Sequence, residues 1–196
     1  APEIVLRHEN GVDLLAPARA THNSTRAMCV WLQEELDWAV ADAYGLTPEN
    51  LAQSPEDAFE LRLGERAFEI ALARRSAAGK GSSPWFERHG STPITELPSH
   101  WPDWYRDVVE KRLELIENDK FINLLERPEY KRRWNWESWD DLAHDALQKW
   151  LLTRLEDSRY WAANMPQSIA QLADIARNDA DFVQVAELYR DTTDVD

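Results

Sequence analysis

The sequence predicts an all-α domain: at least six helices, irregularly connected, with a long Gly/Pro-rich central loop. Three observations carry that expectation. Apolar residues recur at three- and four-residue spacing through most of the chain. Hydroxyl, Asp and Pro residues stand just ahead of those periodic runs, where helices start. No strand-like segment alternates with a helical one, and no internal repeat marks a solenoid or propeller.

Residues 1–20 are mixed, with Gly11 and Pro17, and read as strand or loop. Asn23, Ser24 and Thr25 then offer capping oxygens. Met28, Leu32, Leu36, Val40 and Tyr44 follow at helical spacing, and Gly45 supplies the stop. Thr47-Pro48-Glu49 and Ser54-Pro55-Glu56 each place Pro at a first helical position. The second should lead into a helix through Leu63, Ala67, Ile70, Ala71 and Arg75, with Gly64 weakening its start. Residues 76–100 are dense in Gly, Ser and Pro, yet hold Trp85 and Phe86. Burying those rings would pin the segment to a surface, so an ordered loop is expected.

Beyond it, Tyr105, Val108, Val109, Leu113 and Ile116 form one stripe, and a kink is expected near Asn118-Asp119 before Phe121–Leu125. Ser138, Ser168 and Asp179 should cap three further helices. The composition break suggests a helical part at 1–75, the ordered loop at 76–100 and a second helical part at 101–196, packed as one unit.

The chain has 196 residues, 43% of them hydrophobic, with 10 Trp, enough for a real core. No apolar run is long enough to span a bilayer, and no signal peptide is visible, so no membrane partner is expected. The chain lacks an initiator Met and reads as a segment of a longer protein. A lone cysteine, Cys29, forms no intrachain disulfide and suits a cytoplasmic setting. The net charge of -14 argues against a free-standing DNA binder, though not against a local basic patch.

Motifs for catalysis are missing. Gly79-Lys80-Gly81 follows a helix rather than a strand, so it reads as a helix stop and flexible loop. A phosphate loop would need Gly at Arg74 and a hydroxyl at Gly81. His8-Glu9 begins a zinc-protease pattern, but Val12 stands where the second His belongs. His22, His89, His100 and His144 are scattered, and no metal site is expected. Glu34, Glu35 and Asp37 read as the solvated face of an amphipathic helix rather than catalytic carboxylates.

One stretch stands out against the acidic background: Glu126-Arg-Pro-Glu-Tyr-Lys-Arg-Arg-Trp-Asn-Trp136. Its cations Arg127, Lys131, Arg132 and Arg133 are the candidate DNA contacts. Trp85, Phe86, Tyr130 and Trp134 are the candidate aromatic anchors. The plainer alternative is a surface turn whose cations pair with neighbouring carboxylates while the Trp side chains join the core.

Several segments resemble the PglX adenine-specific DNA methyltransferases of BREX phage-exclusion systems. They are Trp31-Leu-Gln-Glu-Glu-Leu-Asp-Trp38 with Tyr44-Gly45-Leu46, Leu63-Gly-Glu-Arg-Ala-Phe-Glu-Ile-Ala-Leu-Ala-Arg74, and Trp85-Phe-Glu-Arg-His-Gly-Ser-Thr-Pro-Ile-Thr-Glu-Leu-Pro98. Glu126–Trp134 and Asp181-Phe-Val-Gln-Val-Ala-Glu-Leu-Tyr189 complete the set, which covers most of residues 28–190. The resemblance implies a parent enzyme that moves a methyl group from S-adenosylmethionine to the exocyclic amine of adenine. That chemistry uses an Asn-Pro-Pro-Tyr type motif to hold the flipped base. Here the nearest segment is Asn164-Met165-Pro166-Gln167, without the second Pro or the aromatic. No catalytic residue and no cofactor is therefore assigned to this chain.

The resemblance thus implies an accessory domain downstream of the catalytic one, supporting DNA engagement, target selection or complex assembly. Its expected partners are the remainder of the methyltransferase, DNA through that remainder, and other phage-defence proteins. The alternative is a protein-interaction module that docks another defence component or a phage inhibitor without touching DNA.

Overall fold

In the computed structural model, residues 1–8, 11–81, 83–131, 137–161 and 167–193 are described. Among these residues every regular element is helical, as the sequence pattern predicts. The chain divides into two units, residues 1–23 with 136–196, and residues 24–135.

The first unit holds α1 (Pro2–Val5), the start of α2 (Leu15–Ala43), α7 (Trp139–Leu155), α8 (Ile169–Arg177) and α9 (Ala180–Thr193). Leu6, Ala146, Leu147 and Val185 form its core, with Trp150, Leu151, Leu188 and Tyr189 packed against them. The three expected caps are in place. The Ser138 hydroxyl accepts from the Asp141 N–H at 3.1 Å, and the Ser168 hydroxyl from the Gln171 N–H at 3.3 Å. Asp179 accepts from the Phe182 N–H at 3.3 Å, and its carboxylate also takes Arg154 at 2.8 Å and the Tyr160 hydroxyl at 2.6 Å. The hydrogen bond from Arg154 holds the Asp179 carboxyl well below the usual carboxylate range.

The second unit holds the rest of α2, with α3 (Ala67–Ala77), α4 (Trp85–His89), α5 (Asp103–Asn118) and α6 (Lys120–Leu125). Trp31, Trp38, Leu61, Ile70, Trp101, Tyr105 and Ile116 are buried at its centre. Phe59 meets Tyr105 edge-on at 4.8 Å between ring centroids. The break expected near residue 118 falls at Asp119, whose carboxylate caps α6 by accepting from the N–H groups of Phe121 and Ile122.

Three expectations are corrected. Part of the stretch 1–20 is helical, because α2 already starts at Leu15. Pro17 fits inside that first turn, where helical N–H groups have no partner to lose. Ser54-Pro55-Glu56 makes only a short 3-10 turn, Pro55–Asp57, and α3 begins ten residues beyond it, at Ala67. Leu61 first inserts into the core, and Gly64 turns the chain at φ +94°. A Cβ at Gly64 would lie 2.6 Å from the Thr92 carbonyl oxygen, so only glycine fits there.

The third correction concerns the face of α2. Leu32, Leu36, Val40 and Tyr44 point outward, while Trp31, Glu34, Glu35 and Trp38 are buried. Glu34 and Glu35 are therefore interior groups and not a solvated face.

Residues 76–100 are tied to this unit rather than hanging from it. Trp85 is buried, edge-on to Phe68 with centroids 5.2 Å apart, and its indole N–H donates to Glu69 at 2.9 Å. Arg74 donates to the Thr95 carbonyl at 2.7 Å. Ile70, on α3, is fully enclosed in the core of this unit. Ile70→Ala should lower the stability of the second unit by about 2–5 kcal/mol, read from the midpoint of denaturant unfolding.

Candidate functional site

The most unusual chemistry lies inside the second unit, around one turn of α2. Trp31 and Trp38 are seven residues apart, two helical turns, and both are buried. Positions 34 and 35 fall between them on the same face, so two glutamates enter the interior with the indoles.

Each glutamate meets an arginine there. Glu34 Oε2 accepts from Arg66 Nε at 2.9 Å, and Oε1 accepts from the Trp38 indole at 3.0 Å and the Ala67 N–H at 3.3 Å. Glu35 takes both terminal nitrogens of Arg112, at 3.0 and 2.5 Å, a two-point geometry suited to a planar guanidinium. It also accepts from the Tyr105 hydroxyl at 3.1 Å and the Gln53 N–H at 2.7 Å. Arg112 donates further to the Leu51 carbonyl at 2.7 Å and lies 5.1 Å over the Trp38 ring.

Asp37 extends the cluster, accepting from Arg66 Nη2 at 2.6 Å and Lys131 Nζ at 3.0 Å. Lys131 also contacts Glu126, the residue that follows α6. Glu69 accepts from the N–H groups of Gly64 and Arg66, at 2.8 and 3.1 Å, which fastens the start of α3. Four carboxylates (Glu34, Glu35, Asp37, Glu126) thus share three cations (Arg66, Arg112, Lys131).

That imbalance separates the acids. Burial would raise the Glu34 carboxyl, but the charges of Arg66, Arg112 and Lys131 outweigh it and hold the group at about 2. At Glu126 burial wins over Lys131, with Glu34 opposing ionisation further, and the carboxyl is pushed up to about 7. Its Oε2 atom is buried without a partner, which suits a protonated group. Burial also raises the carboxyls of Glu35 and Glu69 and the Tyr105 phenol.

Chemically, the arrangement holds rather than transforms. Its carboxylates are committed to guanidinium, ammonium, indole and backbone donors, and they join α2, the 51–53 segment, α3, α5 and residue 131. Among the described residues no group of His, Cys, Asp and Glu is placed to hold a metal. No helix there is long and apolar enough to cross a membrane. A separate open groove of about 500 Å³ runs beside α3 and α5, with Arg74, Arg75 and Lys80 along it as well as Glu110, Glu114 and Glu117.

Of the candidate contacts read from sequence, Arg127 and Lys131 fall among the described residues, in different surroundings. Lys131 is buried against Asp37 and Glu126, so it faces the interior carboxylates and no open surface. Arg127 is exposed. Tyr130 is 66% exposed. Trp85 is buried, and Phe86 is half-buried beside it. Arg132, Arg133 and Trp134 lie outside the described residues, as do Asn164, Met165 and Pro166. Sequence reasoning missed Glu34, Glu35, Arg66 and Arg112. The signal for the glutamates was the seven-residue spacing of the two tryptophans.

Compared with known proteins, residues 29–196 match the family described as Domain of unknown function (DUF7008). The chain is 48% identical over 184 residues to the adenine-specific methyltransferase PglX of Streptomyces coelicolor. That alignment covers 90% of this chain and 15% of the relative, so the chain spans a small part of that protein's length. The family resemblance read from the sequence is thereby supported. No solved structure matches the chain.

Breaking the pair at Arg112 leaves Glu35 charged and enclosed. Arg112→Met should cost about 3–5 kcal/mol in denaturant unfolding. Lys111→Ala, which removes an exposed ion pair with Glu49, should cost less than about 1 kcal/mol. A second expectation concerns pH. Because folding raises the Glu126 carboxyl from its ordinary 4.5 to about 7, its contribution to stability is present below 4.5 and lost as pH rises through 7. Glu126→Gln keeps the neutral form. The stability of the variant relative to the parent should therefore rise between pH 5 and pH 8, and an unchanged gap would show that Glu126 does not titrate there.

Proposed function

Because this chain belongs to the DUF7008 family, and a longer adenine-specific methyltransferase contains its counterpart, we propose that it is an accessory helical domain of such an enzyme, acting in phage defence. The observation that carries this reading is the strong match of nearly the whole chain to a small part of that enzyme. Methyl transfer from S-adenosylmethionine to adenine would then belong to the remainder of the polypeptide, in the cytoplasm. The domain's own work is assembly, as a scaffold on which the enzyme and other defence proteins are positioned. The buried ion-pair cluster supports that role, because it spends Lys131 and both central arginines on internal architecture.

Direct DNA contact is the second reading. It is favoured by Arg127 and Tyr130, which stand exposed three residues apart and are followed by Arg132 and Arg133 in sequence.

Two measurements on the full-length enzyme separate these ideas. Removing this domain should leave S-adenosylmethionine binding by calorimetry in place while impairing adenine methylation. Loss of cofactor binding, with the remaining protein still folded, would end the accessory reading. Replacing Arg127, Arg132 and Arg133 together by Ala should leave DNA affinity and its salt dependence unchanged if the role is assembly. A salt slope lower by about one ion per lost phosphate contact would establish DNA contact instead.

A further inference from the structure

Between Arg26 and Tyr44, α2 and the residue after it have an inverted surface. The exposed positions are Leu32, Leu36, Ala39, Val40, Ala43 and Tyr44, all apolar or aromatic. The charged positions in the same stretch, Arg26, Glu34, Glu35, Asp37 and Asp42, are buried or half-buried. This occurs in a chain that is 30% charged and carries a net charge of -14. A helix at a water boundary shows the opposite arrangement, and one that is apolar on its outer face as well is ordinarily covered on both sides.

Leu32, Leu36, Val40 and Tyr44 recur every four residues, so they form one continuous ridge. Leu36 is 56% exposed and Tyr44 79%. The ridge is held rigidly from behind, since Glu34, Glu35 and Asp37 on the same turns are tied to Arg66, Arg112 and Lys131.

We infer that this ridge is an interdomain interface, covered in the intact enzyme by another part of the same polypeptide. The inference rests on the reading of the chain as one domain of a longer methyltransferase. The relative supplies the occupant, because this chain accounts for 15% of that protein's length. A second copy of the domain is the poorer fit, since two bodies of charge -14 repel one another on approach. Apolar ridges of this kind pack against a complementary groove or helix.

The test uses the full-length protein. A photo-crosslinking benzoyl-phenylalanine is placed at Leu36 and, separately, at Tyr44, with Glu56, an exposed residue elsewhere in the unit, as the control. After irradiation and digestion, mass spectrometry should find Leu36 and Tyr44 joined to peptides from outside this domain. The yield should not depend on protein concentration, and Glu56 should give no such products. Crosslinks between two molecules that grow with concentration would assign the ridge to self-association and overturn the inference. Products no more abundant than those from Glu56 would leave the ridge in water and also overturn it. Leu36→Asp gives an independent readout: limited proteolysis should release this domain faster from the variant than from the parent protein, and equal rates count against the interface. Methylation by the same preparations reports separately on the enzyme reading. An active enzyme without the crosslinks would sink the interface alone, and crosslinks in a protein that cannot methylate adenine would sink the enzyme alone.

Discussion

Taking Glu34 and Glu35 out of water is costly, and the second unit is arranged to offset that cost. A carboxylate in an apolar interior loses several kcal/mol of hydration unless cations and donors replace the water around it. Arg112 spans the gap between α5 and α2, and Arg66 does the same from the start of α3. Backbone groups of residues 51, 53 and 67 complete the coordination. The cluster therefore dictates which loop conformations are allowed: a segment that does not present its N–H or carbonyl at the right place leaves a buried charge bare. Apolar packing of Trp31, Trp38 and Ile70 supplies the general driving force, while the ion pairs tie Arg66 and Arg112 to α2.

The existence of the helices and several of their ends were legible from sequence, because those signals are local, although α2 starts at Leu15, ahead of the caps expected at 23–25, and α3 only at Ala67. Ser138, Ser168 and Asp179 cap where their side chains and the following apolar spacing place them. The break at Asp119 followed from an Asn-Asp pair at the end of one stripe. What was not legible is which face of a helix turns inward when both faces carry apolar residues. Along α2 the stripe at 28, 32, 36, 40 and 44 and the stripe at 27, 31, 34, 38 and 41 compete, and hydropathy favours the first. The second prevails because two tryptophans bury more surface than the leucines opposite, and because arginines from distant segments neutralise the intervening glutamates. Such partners lie 32 and 77 residues away, beyond the reach of any local pattern.

The same nonlocality explains the basic-aromatic stretch. Its composition suggested a surface feature, and Arg127 and Tyr130 are on the surface. Lys131 instead turns inward to Asp37, 94 residues earlier, and to Glu126 beside it. A cluster with more carboxylates than cations draws in a further lysine, and the position of that demand is visible only once α2 and α3 are assembled. The aromatic pair in the Gly-rich segment was easier to read, since two large rings in a polar loop call for a nearby surface, and Phe68 and Glu69 provide one for Trp85.

The discontinuity of the first unit has a consequence for synthesis. Residues 24–135 form a contact unit of their own, whereas residues 1–23 pack with residues 136–196. A ribosome delivers the chain from its N-terminal side, so the inner unit is complete while the outer one still lacks α7, α8 and α9. Leu6, Val12 and Leu15 must wait in that interval without Leu147 and Val185 to cover them. The early residues are few and the missing helices many, so the surface that waits for a partner is small.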